Sequence, residues 1–331
     1  MDKLRWGILS TADIGRQQVI PAIKRSKNGE VTAMASRSQE SKQVADELDI
    51  PKFYDSYQAL LEDPDIDAVY IPLPNSLHKQ WVLEAARQKK HILCEKPAAL
   101  NGEELDEMLA ACEENGVRFM EAFMYQFHPQ HQRVKELVQN KEIGDISLIR
   151  SSFSFVLDDS SNIRMIKDLG GGAMYDVGCY CLHSIRHILE EEPESVYASG
   201  KLHDQSGVDT NVAGVLAFSG GVKGIFDCSF QAAPQNYYEV IGTTGSIEVQ
   251  NAYRPDLNEN GEGLLRIKRS NGETEEVAIE GDQYKLQVEH FAEAVLTNQP
   301  LSYDKEKMLS HTRIMDAVFT SIDTGEPVLY K

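Results

Sequence analysis

The chain is 331 residues long, 41% hydrophobic and 26% charged, too apolar for a disordered polymer and long enough that two domains are expected. Lys and Arg number 33 against 52 Asp and Glu, a formal charge of −19. That field repels phosphate backbones and anionic bilayers and excludes nucleic acid and membrane as expected partners; an anionic ligand is held only where a local cation or a helix N-terminus overrides it.

Met1 to Trp6 run straight into a strand-like segment, without the basic region and apolar stretch of a signal peptide. No window of roughly 18 apolar residues follows. Cys94, Cys112, Cys179, Cys181 and Cys228 form an odd, scattered set with no C-x-x-C pair, so a reduced, cytoplasmic protein is expected.

Short apolar runs then alternate with amphipathic segments, the pattern of successive βαβ units and a doubly wound parallel sheet. Strands are predicted over 4–9, 31–36, 52–54, 67–73, 91–94 and 117–122, and helices over 41–48, 57–61, 77–89 and 103–115. Ser56, Ser76 and Asn101 stand where N-caps belong, and Gly116 where a helix stops. The pattern changes near residue 125, giving domains at 1–123 and 124–331. Strands are predicted beyond it over 147–156, 195–201, 212–218, 222–230, 238–241, 246–249, 264–268 and 275–279, parted by turn signals such as Ser219-Gly220-Gly221, Thr244-Gly245 and Asn271-Gly272. This half reads as an antiparallel sheet with helices over 174–189, 287–296 and 305–321, and Glu190-Glu191-Glu192 reads as a helix end in solvent.

Gly7-Ile8-Leu9-Ser10-Thr11-Ala12-Asp13-Ile14-Gly15 ends the first strand and opens a helix, the place of a dinucleotide-binding turn. Its match is degenerate, with Ser10, Ala12 and Gly15 at the three small positions. The second strand ends in Ala35-Ser36-Arg37-Ser38, with no carboxylate for ribose hydroxyls. A hydroxyl followed by a guanidinium suits a 2′-phosphate, so NADP(H) is preferred and NAD(H) is second. Two more segments close strands of the same sheet: Pro72-Leu73-Pro74-Asn75-Ser76-Leu77-His78 and Glu95-Lys96-Pro97. Lys96 precedes a proline, which restrains its backbone. His183 and His187 are four apart on a predicted helix, but no third ligand is patterned nearby, and no metal is expected.

These segments, with Glu121-Ala122-Phe123-Met124-Tyr125-Gln126-Phe127-His128-Pro129 and Leu169-Gly170-Gly171-Gly172-Ala173-Met174-Tyr175-Asp176-Val177-Gly178-Cys179-Tyr180, resemble the Gfo/Idh/MocA oxidoreductases over essentially the whole chain. Tyr180 stands where many members carry histidine, which is similar to the glucose-fructose oxidoreductase, dimeric dihydrodiol dehydrogenase and xylose dehydrogenase branch. The resemblance implies an α/β protein with an N-terminal Rossmann doubly wound parallel sheet and a C-terminal α+β domain carrying a large open, mostly antiparallel sheet through which members pair as homodimers or homotetramers.

It also implies an NAD(P)-dependent dehydrogenase or reductase acting on CH–OH groups of a sugar, polyol or trans-diol. Tyr180 is then the general acid/base, Lys96 its cationic neighbour and Asp176 the residue orienting the pair. The cofactor falls to Gly7, Ser10, Thr11, Ala12, Asp13, Ile14, Ser36, Arg37, Ser38, Leu73, Pro74, Asn75, His78, Glu95, Lys96 and Pro97. Tyr125, Arg164 and His183 are weaker candidates for substrate hydroxyls. If helix begins near Met174, Asp176, Gly178 and Tyr180 share one face. The alternatives are a sugar oxidoreductase or glycosidase with a permanently bound cofactor, and a non-catalytic dinucleotide sensor of the same fold.

Overall fold

The computed structural model describes residues 3–36, 41–258 and 260–330. They fall into two compact units: Met1–Met124 with Gln283–Leu309, and Tyr125–Asp282 with Ser310–Lys331.

In the first unit β1 (Leu4–Leu9), β2 (Gly29–Ala35), β3 (Lys52–Tyr54), β4 (Ala68–Ile71), β5 (His91–Cys94) and β6 (Phe119–Glu121) form a parallel sheet of order β3-β2-β1-β4-β5-β6. Ala68, Val69, Tyr70 and Ile71 are all buried, as expected of a strand covered on both faces. The order reverses between β1 and β4, and ligands of such sheets bind beyond the strand ends at that point. Ser56 accepts from Ala59 N at 3.2 Å, Asn101 accepts from Glu104 N at 2.9 Å, and Gly116 stops its helix at φ 69°. Ser76 caps no helix. Asn75–Leu77 forms a 3-10 turn, with Pro74 O accepting from Leu77 N at 2.9 Å, and the α-helix is His78–Arg87.

Residues 283–309, which the sequence reading gave to the second domain, pack with this first sheet. The helix Gln283–Leu296 lies against β1, β2 and the helix Ile20–Arg25, and the rings of Phe291 and Trp6 are 5.3 Å apart. Trp6 and Phe291 have no exposed surface, so this late segment buries what the apolar run of β1 leaves open.

In the second unit β7 (Ile146–Ser154), β8 (Ser195–Leu202), β9 (Asp209–Ala217), β10 (Lys223–Ser229), β11 (Gln235–Gly242), β12 (Gly245–Gln250), β13 (Gly263–Arg269), β14 (Thr274–Ile279) and β15 (Val328–Leu329) form one sheet. Its order is β14-β13-β12-β11-β7-β10-β9-β8-β15. Pairing is antiparallel except between β7 and β10, which run parallel because the helix Cys179–Leu189 and the β8–β9 pair lie between them in the chain. That helix packs on β7 and β10. Along β9, Val212 and Leu216 are buried while Ala213 and Val215 face out, the alternation of a sheet covered on one side.

The acidic run ends the helix with Glu190 at φ 53°. It is not simply solvated: Glu190 pairs with Lys135 at 2.9 Å, and Glu192 accepts from Arg186 Nε at 2.8 Å.

Candidate functional site

Within the first unit the expected cofactor residues are distributed over the C-terminal ends of β1, β2, β4 and β5. Ser10 follows β1 at φ 108°, a left-handed conformation that a non-glycine residue adopts only under constraint. The constraint is visible: Ser10 N donates to Ala35 O at 2.8 Å, its hydroxyl donates to Pro72 O at 3.2 Å, and Ala12 N donates to that hydroxyl at 3.2 Å. One serine therefore links the loops after β1, β2 and β4. Thr11, Ala12 and Ile14 are half-buried and Asp13 is exposed, at the start of a helix whose first-turn amides lack intrahelical acceptors.

Gly15 leaves ordinary contact room to Tyr70 and Pro72, 3.6 and 3.7 Å from where a Cβ would stand. Small residues, a strained turn and the amides of a helix start at the switch point suit a dinucleotide pyrophosphate. Gly7 does not join this loop. It lies inside β1, and a Cβ there would stand 2.6 Å from Leu60 Cδ2, so the glycine makes room for the Leu60 side chain packed on the sheet. Ser36 is buried at the end of β2, its N donating to Tyr54 O at 3.2 Å. Arg37 and Ser38 lie outside the described residues.

The segment Glu95-Lys96-Pro97-Ala98 is clamped from three sides. Tyr70 OH donates to Glu95 Oε1 at 2.6 Å, His78 Nδ1 lies 2.9 Å from Pro97 O, and Ala98 N donates to Glu121 Oε1 at 2.8 Å. The Lys96–Pro97 bond is cis. His78 is wholly buried, with Nε2 2.9 Å from Leu73 O, and burial lowers its pKa. Its ring ties the loop after β4, where it was expected to meet the cofactor, to the loop after β5. Pro74 precedes the 3-10 turn, Asn75 opens it, Leu73 and Pro97 are buried, and Glu95 and Lys96 are half-buried.

In the second unit the three glycines each have a separate cause. Gly170 takes φ 76° to end a 3-10 turn. A Cβ on Gly171 would stand 2.4 Å from Arg164 O, and Gly172 sits at φ 131° where a Cβ would stand 2.2 Å from Asp209 Oδ1. That clearance lets Asp209 Oδ2 accept from Met174 N at 2.6 Å, seating a buried carboxylate on the first turn of the helix. Desolvation pushes the Asp209 carboxyl up to about 6.

The helix opens with a π-turn, Met174–Gly178, before Cys179–Leu189, so Asp176 and Tyr180 are offset from the regular α spacing expected of them. Gly178 admits Cys228 and Met174: a Cβ there would lie 2.8 Å from Cys228 Sγ and 2.6 Å from Met174 Sδ.

Asp176 Oδ2 accepts from Arg164 Nε at 2.6 Å, and the Arg164 pKa is raised by Asp176 first, with a smaller contribution from Tyr180. Asp176 thus holds Arg164, a partner the sequence reading gave no reason to couple to it. Tyr180 is 5% exposed, its ring 5.2 Å from Tyr253, 5.6 Å from Phe153 and 5.8 Å from Tyr125.

Tyr125 and His183, read as contacts for substrate hydroxyls, are buried and bonded to each other, Tyr125 OH to His183 Nδ1 at 2.5 Å. Behind them His187 stacks on His183 at 5.7 Å and His311 meets it edge-on at 5.4 Å. The pair is core structure behind Tyr180. Sequence reasoning missed Glu121 and Asp209, whose partners are far along the chain; the glycine at 172 was the available signal for Asp209.

Residues 4–123 match the family model described as an oxidoreductase family with an NAD-binding Rossmann fold, and residues 131–248 match the GFO/IDH/MocA C-terminal domain. The chain is 41% identical over 98% of its length to D-xylose 1-dehydrogenase (NADP(+)) 2 of Haloferax volcanii, of which it covers 99%. It is 36% identical to trans-1,2-dihydrobenzene-1,2-diol dehydrogenase of Xenopus laevis, covering 74% of each chain. A 3-ketoreductase from Actinomadura kijaniata, solved with NADP and TDP-benzene, superimposes at a TM-score of 0.92 with 30% identity, over 97% of this chain and 98% of that one. With sheet order, glycine contacts and both domain models in agreement, the chain belongs to the GFO/IDH/MocA oxidoreductase family.

Proposed function

We propose that the protein is an NADP(H)-dependent oxidoreductase transferring a hydride to or from a carbinol or carbonyl carbon of a sugar, polyol or trans-diol. The observation that carries the reading is 41% identity over 98% of the chain to an NADP-dependent xylose dehydrogenase, in a chain that carries Lys96 on a clamped segment of the first unit and, in the second, Tyr180 near an Arg164 bonded to Asp176. The nicotinamide, when bound, supplies the hydride donor or acceptor at C4.

The chain's residues do the rest. Amides of Thr11, Asp13 and Ile14 take the pyrophosphate, and Ser36, Arg37 and Ser38 take the 2′-phosphate. Lys96 stabilises the developing alkoxide, and Tyr180 gives or takes the hydroxyl proton. The Arg164–Asp176 pair offers a substrate hydroxyl both a donor and an acceptor, while Tyr125 and His183 fix the wall behind the phenol.

The test is to follow nicotinamide absorbance across aldoses, polyols, trans-diols and dicarbonyls with NADP and NAD. Turnover lost in Tyr180→Phe with cofactor affinity retained supports the reading, and full turnover in that variant sinks it. Exchange of added NADP(H) separates a released cofactor from a permanently bound one.

We further propose a homodimer through the open face of the second sheet. Tyr197, Val215 and Ile225 form a cross-strand row there, 44%, 36% and 38% exposed, an apolar stripe that a second copy would cover. Light scattering that gives a monomer mass would contradict this. A reducing cytoplasm suits five buried free thiols.

A further inference from the structure

Glu121 closes β6 with a side chain that solvent does not reach, and a buried carboxylate is costly unless its charge is matched. Both oxygens are engaged: Ala98 N donates to Oε1 at 2.8 Å and Tyr303 OH donates to Oε2 at 3.2 Å. Its own amide points at Met308 Sδ, 3.3 Å away. Ala98 is two residues beyond Lys96, so the anion grips the far end of a segment whose near end is gripped by Tyr70 through Glu95. The titratable groups facing Glu121 are Lys96 and Glu95 on that segment, Cys94 at the end of β5, and Tyr303. Lys96 is the cation among them. Packing alone would place an apolar residue here, and hydrogen bonding alone would be met by an amide.

We propose that Glu121 is a positioning residue for Lys96, its buried negative charge facing the ammonium while its hydrogen bonds fix the segment that carries it. The inference deepens the reading above and rests on Lys96 being the cation at the reacting hydroxyl. Burial pushes the Glu121 carboxyl up to about 7, so the anion that supports Lys96 is lost as pH falls through that value.

The experiment reads Lys96 directly. Reductive methylation with 13C-formaldehyde labels the lysines, loss of one resonance in Lys96→Arg assigns the signal, and its pH titration is compared between the wild type and Glu121→Gln. The proposal expects the Lys96 titration to fall by about one pH unit in the variant. Glu121→Ala, a second variant without the charge, moves it in the same direction and decides the matter if Glu121→Gln does not fold. A Lys96 titration unchanged in the folded variants overturns the proposal.

Where turnover is measurable, Glu121→Gln also lowers kcat while cofactor Kd stays within about twofold; an unchanged kcat in the folded variant counts against it. If no substrate class supports hydride transfer, the functional reading fails but the Lys96 titration still judges the charge coupling, so the two failures are separable.

Discussion

Arg164 Nε and Asp176 Oδ2 are 2.6 Å apart, with the arginine side chain 41% exposed and the carboxylate 15% exposed. The guanidinium is therefore the accessible member, and the carboxylate depends on it. Arg164→Met should raise KM about tenfold or more with a smaller effect on kcat, and should destabilise the fold by about 1 kcal/mol after solvent screening. Steady-state kinetics with thermal unfolding checks both; a drop in kcat at constant KM would assign Arg164 to the chemical step instead.

Gly172 and Asp209 are a matched pair. Gly172→Ala places a methyl 2.2 Å from Asp209 Oδ1 at φ 131°, so either the carboxylate or the helix N-terminus must shift. A loss on the order of 3 kcal/mol is expected, with turnover falling further than cofactor affinity. Denaturant unfolding of the variant, beside Asp209→Asn, measures how much of that loss belongs to the cap.

Two sets of buried groups give opposite slopes of stability against pH. Burial holds His131, His183 and His311 well below their ordinary 6.5. The unfolded chain takes up protons there that the native core refuses, so stability present above 6.5 is lost as pH falls, by about 1.4 kcal/mol per pH unit per ring. Glu121 and Asp209 are instead raised from 4.5 to about 7 and from 3.8 to about 6. Their contribution is full below the unfolded values and lost as pH rises through the native ones. Tm should thus drop below pH 6.5, less steeply in His311→Asn. Glu121→Gln should gain on the wild type as pH rises from about 4.5 to about 7.

If Lys96 and Tyr180 act on the same hydroxyl, their losses will not add. Lys96→Met and Tyr180→Phe should each lower kcat by about a hundredfold or more, and the double variant should be little worse than the poorer single one. Additive losses would mean that the two groups serve different steps.

Local chemistry made much of the fold readable. β1, β3 and β5 fall on their predicted limits because each is an apolar run bounded by turn residues, and Ser56, Asn101 and Gly116 act within one turn of themselves. Ser76 misled because a preceding proline started a tighter turn. The parallel β7–β10 pairing was illegible, since alternation along a strand does not reveal its neighbour's direction.

The motifs located the loops around Ser10, His78, Lys96 and Tyr180 but not the work done there. The contacts of His78 with Pro97 O and of Tyr125 with His183 are invisible to a motif. Glu121 and Asp209 become meaningful only through Tyr303 and Met174, at separations no local window spans.

The helix Gln283–Leu296 seals Trp6 and anchors the turn at Asn28, whose Nδ2 donates to Glu289 O at 2.9 Å. During synthesis the ribosome must therefore emit most of the polypeptide before the earliest-made sheet can be finished. Until then its nascent apolar flank is bait for chaperones. An expressed fragment ending at residue 124 would carry that wound permanently and aggregate, however complete its dinucleotide loops look on paper.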